Sequence, residues 1–142
     1  MKRSRGLTLV ELLVVIAVIG ILSAIAVPQY SDYVTRSKIA EATATLSEHR
    51  VRMEQFFQDN RTYAGACTAG TVAPTPTGRY FTYACSALTT TTYTVTATGV
   101  ASQGMNGFVF TINQANTRAT TGVPTGWDTN TACWVTKKGG VC

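Results

Sequence analysis

Four cysteines, a single histidine and one carboxylate lodged in an apolar run are the residues of this chain with chemistry to offer. The carboxylate is Glu11, inside LTLVELLVVIAVIGILSAIAV (7–27), where Thr8 and Ser23 are the other polar side chains. An acid at the centre of a membrane span costs roughly 2.5 to 3.5 kcal/mol on insertion scales, and usually carries a partner or a function. Glu11 lies near one end, so it either snorkels to the headgroups or meets a cation. The cysteines, Cys67, Cys85, Cys133 and Cys142, all follow the apolar run, and an even count in an oxidising compartment suggests two disulfides with three pairings possible. A zinc site fits poorly, because zinc favours cysteine pairs two to four residues apart and His49 is distant in sequence from all four. There is no GxSxG, no phosphate loop and no nucleophile paired with a base, and the acids are scattered along a predicted helix. The sequence therefore offers no catalytic residue, no cofactor site and no metal site, and does not read as an enzyme.

The elements that must position these groups follow from periodicity. Residues 7–27 would form a helix about 31 Å long, enough to cross a hydrocarbon core of roughly 30 Å. The leader MKRSRG is short and basic, and its small-residue break, Gly6, precedes the apolar run instead of following it. A secretory signal is cut after its apolar segment; a cut after Gly6 keeps the span. Lys2, Arg3 and Arg5 hold the N-terminus in the cytoplasm and send everything beyond Pro28 across the membrane. The helix is expected to continue over 28–58, with Val34, Ile39, Ala42, Leu46, Met53 and Phe57 on one face, and to stop near QDNRTYAG. Pro28 marks an expected kink, and Gly20 a second weak point. GRYFTYA (78–84), TTTYTVTAT (90–98) and GFVFTIN (107–113) alternate with period two and predict strands, and QANTRATT could add another. An antiparallel sheet packed on the amphipathic helix half buries both apolar faces, giving an α+β fold with one modest domain.

A short basic leader ending in glycine, followed by LTLVELLVVIAVIGILSAIAVPQYSDY, resembles the prepilin signature of type IV pilins. The resemblance is specific over about the first thirty-three residues and one of layout beyond them. It implies a leader peptide at 1–6, cleavage after Gly6 by a prepilin peptidase and N-methylation of Leu7. It implies a filament-core helix at 7–27 and an exported domain at 28–142. Glu11 would pair with the terminal amine of a neighbouring copy, and the stretch between Gly20 and Pro28 would be able to lose helical order in a filament. Leu7 departs from the phenylalanine usual after the cleavage glycine. The implied partners are other copies of the chain, other pilins, the peptidase and an inner-membrane assembly platform. The precursor would sit in the bacterial inner membrane and the product in an extracellular pilus serving twitching, adhesion or DNA uptake. Cys67 with Cys85, and Cys133 with Cys142, is the favoured pairing, since near neighbours close smaller loops and the second pair resembles a C-terminal disulfide loop common in pilins. That loop favours a pilus subunit over the alternative of a type II secretion pseudopilin. No cofactor is implied.

Removing the three leader cations takes the formal charge from +5 to +2, so the whole-chain basicity does not argue for nucleic acid. The segment CWVTKKGGVC is the candidate contact surface: Trp134 could stack on bases, and Lys137 and Lys138 could meet phosphates. A second class of function is then a membrane-anchored receptor, or minor pilin, that binds DNA.

Overall fold

A computed structural model describes residues 8–142; the cleavage and methylation positions Gly6 and Leu7 lie outside the described residues. The chain divides into two compact units, one ending at Val34 and one beginning at Thr35. Helix α1 (Leu9–Asn60) supplies all but Thr8 of the described part of the first unit and the opening of the second.

From Leu9 to Val27 the side chains are apolar apart from Glu11 and Ser23, and they are exposed, among them Leu12, Ile16, Ile19, Leu22 and Ile25. An 18-residue window of α1 has a mean hydropathy of 2.8, and its length suits a membrane span. Gly20 and Pro28, expected as weak points, both fall within the helix, which continues through them. A proline here removes one backbone donor; the Ser31 hydroxyl bonds back to the Pro28 carbonyl at 3.3 Å.

In the second unit α1 becomes amphipathic. Ile39, Ala42, Leu46, His49, Met53 and Phe56 are buried, at alternating spacings of three and four that keep one stripe on one face. The helix ends where Arg61 takes a left-handed φ of 58° and its N–H reaches the Phe57 carbonyl at 2.7 Å, in place of the next helical turn.

Four strands follow: β1 (Phe81–Ser86), β2 (Thr94–Gly99), β3 (Val109–Asn113) and β4 (Arg118–Gly122), paired in sequence order and antiparallel throughout. Alternation puts Phe81, Tyr83, Val95, Ala97, Phe110 and Ile112 on the face that packs against the helix stripe, and threonines largely on the other. The stripe and the strand faces form one apolar core. QANTRATT therefore does yield a strand, because its turn is built locally: Asn113 Oδ1 accepts from the Ala115 and Thr117 N–H groups at 3.0 and 2.9 Å. Gly99 is required at the end of β2, since a side-chain carbon there would collide with the Met105 backbone.

Candidate functional site

Glu11 caps the helix in which it lies. Thr8 Oγ1 accepts from the Glu11 N–H at 3.2 Å, and Glu11 Oε2 accepts from the Thr8 N–H at 3.3 Å and from its hydroxyl at 3.2 Å. This is a reciprocal capping box, for which Thr-x-x-Glu is the sequence signal. Two otherwise orphaned donors are satisfied, and the carboxylate stands at the positive end of the helix dipole. Glu11, expected to need a partner outside the chain, thus has one three residues away in Thr8.

The C-terminal segment is tied to β4. Cys133 bonds to Cys142 in a disulfide, and Asn130 pairs with Thr120 through N–H to carbonyl bonds of 2.7 and 3.1 Å in the two directions. Buried Thr120 adds its hydroxyl, which donates to the Cys133 carbonyl at 3.1 Å and accepts from the Val135 N–H at 2.9 Å. Trp134, expected as a surface platform, is corrected here: it is 7% exposed, and its indole N–H donates to the Thr111 carbonyl on β3 at 2.8 Å. A hydrogen-bonding partner on a strand 23 residues earlier draws the ring inward. The group standing over the ring is the guanidinium of Arg118, at 4.8 Å from its centroid. Lys137 and Lys138 are exposed in the same disulfide loop. The structure thus sets Arg118 over Trp134 and leaves Lys137 and Lys138 exposed in the disulfide loop that contains that ring. Arg118 was missed because it lies on β4, away in sequence from the lysines.

The other cysteines meet at the helix. Cys67 bonds to Cys85 across 18 residues, tying the loop after α1 to β1. His49, distant in sequence, lies against this disulfide, with Nε2 at 3.5 Å from Cys67 Sγ and 3.8 Å from Cys85 Sγ. Burial, and after it the Arg52 charge, lower the His49 pKa to about 4, with Glu48 opposing. The imidazole is neutral at ordinary pH. A continuation of the helix stripe from Leu46 to Met53 passes through position 49, the signal by which it could have been placed in the core.

With this geometry in view, the comparisons with known proteins are specific. Residues 28–107, more than half of the chain, match the family described as type IV minor pilin ComP, DNA uptake sequence receptor, and residues 1–27 match the prokaryotic N-terminal methylation motif. Fimbrial protein EcpC of Eikenella corrodens is 40% identical over 76 residues, covering 54% of this chain and 50% of that protein. A fimbrial protein of Pseudomonas aeruginosa is 38% identical over 68 residues, covering 48% of this chain and 44% of that protein. The chain thus spans about half the length of the curated relatives it matches. The crystal structure of the non-core minor pilin PilV of Neisseria meningitidis superposes with a TM-score of 0.55 at 19% identity, over 66% of this chain and 93% of that one, which establishes the fold. A long N-terminal helix packed on an antiparallel sheet behind a methylation motif defines the class of type IV pilins. The chain belongs to that class and, within it, to the ComP minor pilin family.

Proposed function

We propose that this chain is a structural subunit of a type IV pilus. It is cut after Gly6 and methylated at Leu7 by a prepilin peptidase, held in the inner membrane by residues 7–27, and passed through an assembly platform into a filament with other pilins. The observation that carries this reading is the helix from Leu9 to Val27, exposed on every side and apolar apart from Glu11 and Ser23. Such a surface is stable in a bilayer or within a bundle of like helices. In the bundle a lone carboxylate would be costly, and the terminal ammonium of a neighbouring copy neutralises it.

The test is Glu11→Gln. Glutamine also serves in a capping box, so helix capping and membrane insertion are retained while the charge is lost. The variant is expected in membranes and absent from sheared filaments. Incorporation at the wild-type level would remove the pairing role. Intact mass of the sheared subunit, expected to begin at methylated Leu7, checks the processing.

A second reading, contact with DNA, is favoured by the exposed Lys137 and Lys138 of the disulfide loop, by Arg118 over the Trp134 ring of that loop, and by the description of the matched family. Phosphate contacts make binding fall with salt, and each one lost lowers the log–log slope by about one. Arg118→Ala and Lys137→Ala are each expected to reduce that slope; unchanged slopes would place any DNA contact elsewhere.

A further inference from the structure

The buried imidazole of His49 lies beside the first disulfide, on the helix stripe and away in sequence from Glu11 and from the C-terminal disulfide loop. Nε2 of His49 and the sulfurs of Cys67 and Cys85 lie within 4.8 Å of one another, and Met53 Sδ is 3.9 Å from Cys67 Sγ. Two thiolates and a thioether are soft donors and imidazole suits copper, a set that selects Cu(I) over hard cations. We propose that Cys67, Cys85 and His49 form a Cu(I) site that the disulfide keeps closed and that two-electron reduction opens.

The chemistry balances with a dithiol as reductant. The Cys67–Cys85 bond breaks, two S–H bonds form, and the dithiol is oxidised to its own disulfide. Cu(I) then displaces the two thiol protons and takes the imidazole lone pair, giving a three-coordinate site with two sulfurs and one nitrogen. Copper keeps its oxidation state, and Met53 stands where a fourth, weak ligand would approach.

The donors are placed by bonds other than the one that breaks. Cys67 sits at a left-handed φ of 61°, held by its N–H to the Ala73 carbonyl at 2.8 Å and by the Thr75 hydroxyl on its own carbonyl at 2.8 Å. Cys85 is paired with Val95 inside the sheet, and His49 is fixed in α1. Separation of the sulfurs on reduction makes room for the ion, while the backbone positions persist. His49 also borders a cavity of about 290 Å³, with Glu48, Arg52 and Pro76.

The experiment uses the full chain in detergent micelles with Cys133→Ser and Cys142→Ser, so that one cysteine pair remains. It is reduced with a phosphine, desalted under anaerobic conditions and titrated with Cu(I) held by bicinchoninate. The reduced protein is expected to withdraw one equivalent of Cu(I), with thiolate-to-copper absorption in the near ultraviolet; the oxidised protein is expected to withdraw none. His49→Ala should weaken binding at least tenfold. Should that variant fail to fold, X-ray absorption on the chain with His49 intact reads the same point, as one nitrogen and two sulfur ligands. Absence of copper uptake, uptake indifferent to His49, a sulfur-only coordination shell, or loss of near-ultraviolet circular dichroism on reduction would each overturn the proposal.

Discussion

Thr120→Val replaces a buried hydroxyl by a methyl group of nearly the same shape at the point where the C-terminal segment joins β4. The hydroxyl is the acceptor for the buried Val135 N–H at 2.9 Å and the donor to the Cys133 carbonyl at 3.1 Å. Both partners are backbone groups that valine leaves unmatched, and a buried group stripped of its hydrogen bond costs about 1 to 3 kcal/mol. The donor is the more costly loss, because the carbonyl has a second lone pair to offer. Together they predict a destabilisation of about 2 to 4 kcal/mol. Thr120→Ser keeps both bonds and removes one buried methyl, at about 1 kcal/mol. For a unit the size of residues 35–142 a change of 1 kcal/mol moves Tm by about 4 °C, so valine should lower Tm by about 8 to 16 °C and serine by about 4 °C. The assay is thermal unfolding of the full chain in micelles, followed by near-ultraviolet circular dichroism, to which the buried Trp134 contributes. The reasoning fails if valine lies within 1 kcal/mol of the wild type, or if serine costs as much as valine, since the hydroxyl would then not be the group that matters.

Burial lowers the His49 pKa from 6.5 to about 4, so between those values the unfolded chain binds more protons. Stability should therefore be fully retained above about pH 6.5 and fall by up to about 1.4 kcal/mol per pH unit towards pH 4; His49→Gln should flatten that slope in urea titrations across pH, and an identical slope would refute the assignment. Gly99→Ala places a side-chain carbon against the Met105 backbone, which should cost about 3 kcal/mol or more by urea midpoint; a loss below 1 kcal/mol would show that the turn after β2 can yield. Glu41 Oε1 accepts from the Arg79 and Tyr80 N–H groups at 3.0 and 3.1 Å. Glu41→Ala should cost about 1 to 2 kcal/mol and Glu41→Gln less, since the amide oxygen can still accept; equal losses in the same titration would assign the effect to packing.

What was legible in the chain follows the range of the interactions. The helix stripe and the period-two strands depend on neighbours a few residues apart, and Ile39, Leu46, Val95 and Phe110 lie in the core that those patterns mark. Phe57 was placed on the buried face, whereas Phe56 holds the stripe and Phe57 packs at its margin against Tyr63. The other errors of placement are long-range or polar. His49 interrupts an apolar pattern chemically but not geometrically, and its neighbours Cys67 and Cys85 are reached only once the loop and β1 are assembled. Trp134 has two lysines shortly after it, which suggested a solvated loop, yet its position is decided by the Thr111 carbonyl on another strand. The capping box at Thr8 and Glu11 is a different case: wholly local, available in four residues, and obscured by the larger question of what an acid does in a membrane span.

That local bond changes how Glu11 can serve both stages of the proposed life of the subunit. Before assembly the carboxylate faces a hydrophobic environment with no second chain to neutralise it. Its Oε2 accepts from the Thr8 N–H and hydroxyl, and the helix N-terminus adds partial positive charge, so much of the cost of holding an anion near the membrane edge is offset within the monomer. In the proposed assembly the same arrangement would keep the carboxylate at the mouth of the helix, with its other oxygen left to meet a neighbour's ammonium. A group held in place by its own chain loses less freedom when it pairs than a mobile one does, which strengthens the pairing. Glu11→Asp keeps the charge but shortens the reach by one methylene, so the cap and the pair can no longer be made from one side-chain position. If capping preorganises the pair, Glu11→Asp should enter filaments less well than wild type and Thr8→Ala should reduce incorporation with the charge intact. Full incorporation of Thr8→Ala would show that the ion pair forms without help from the cap.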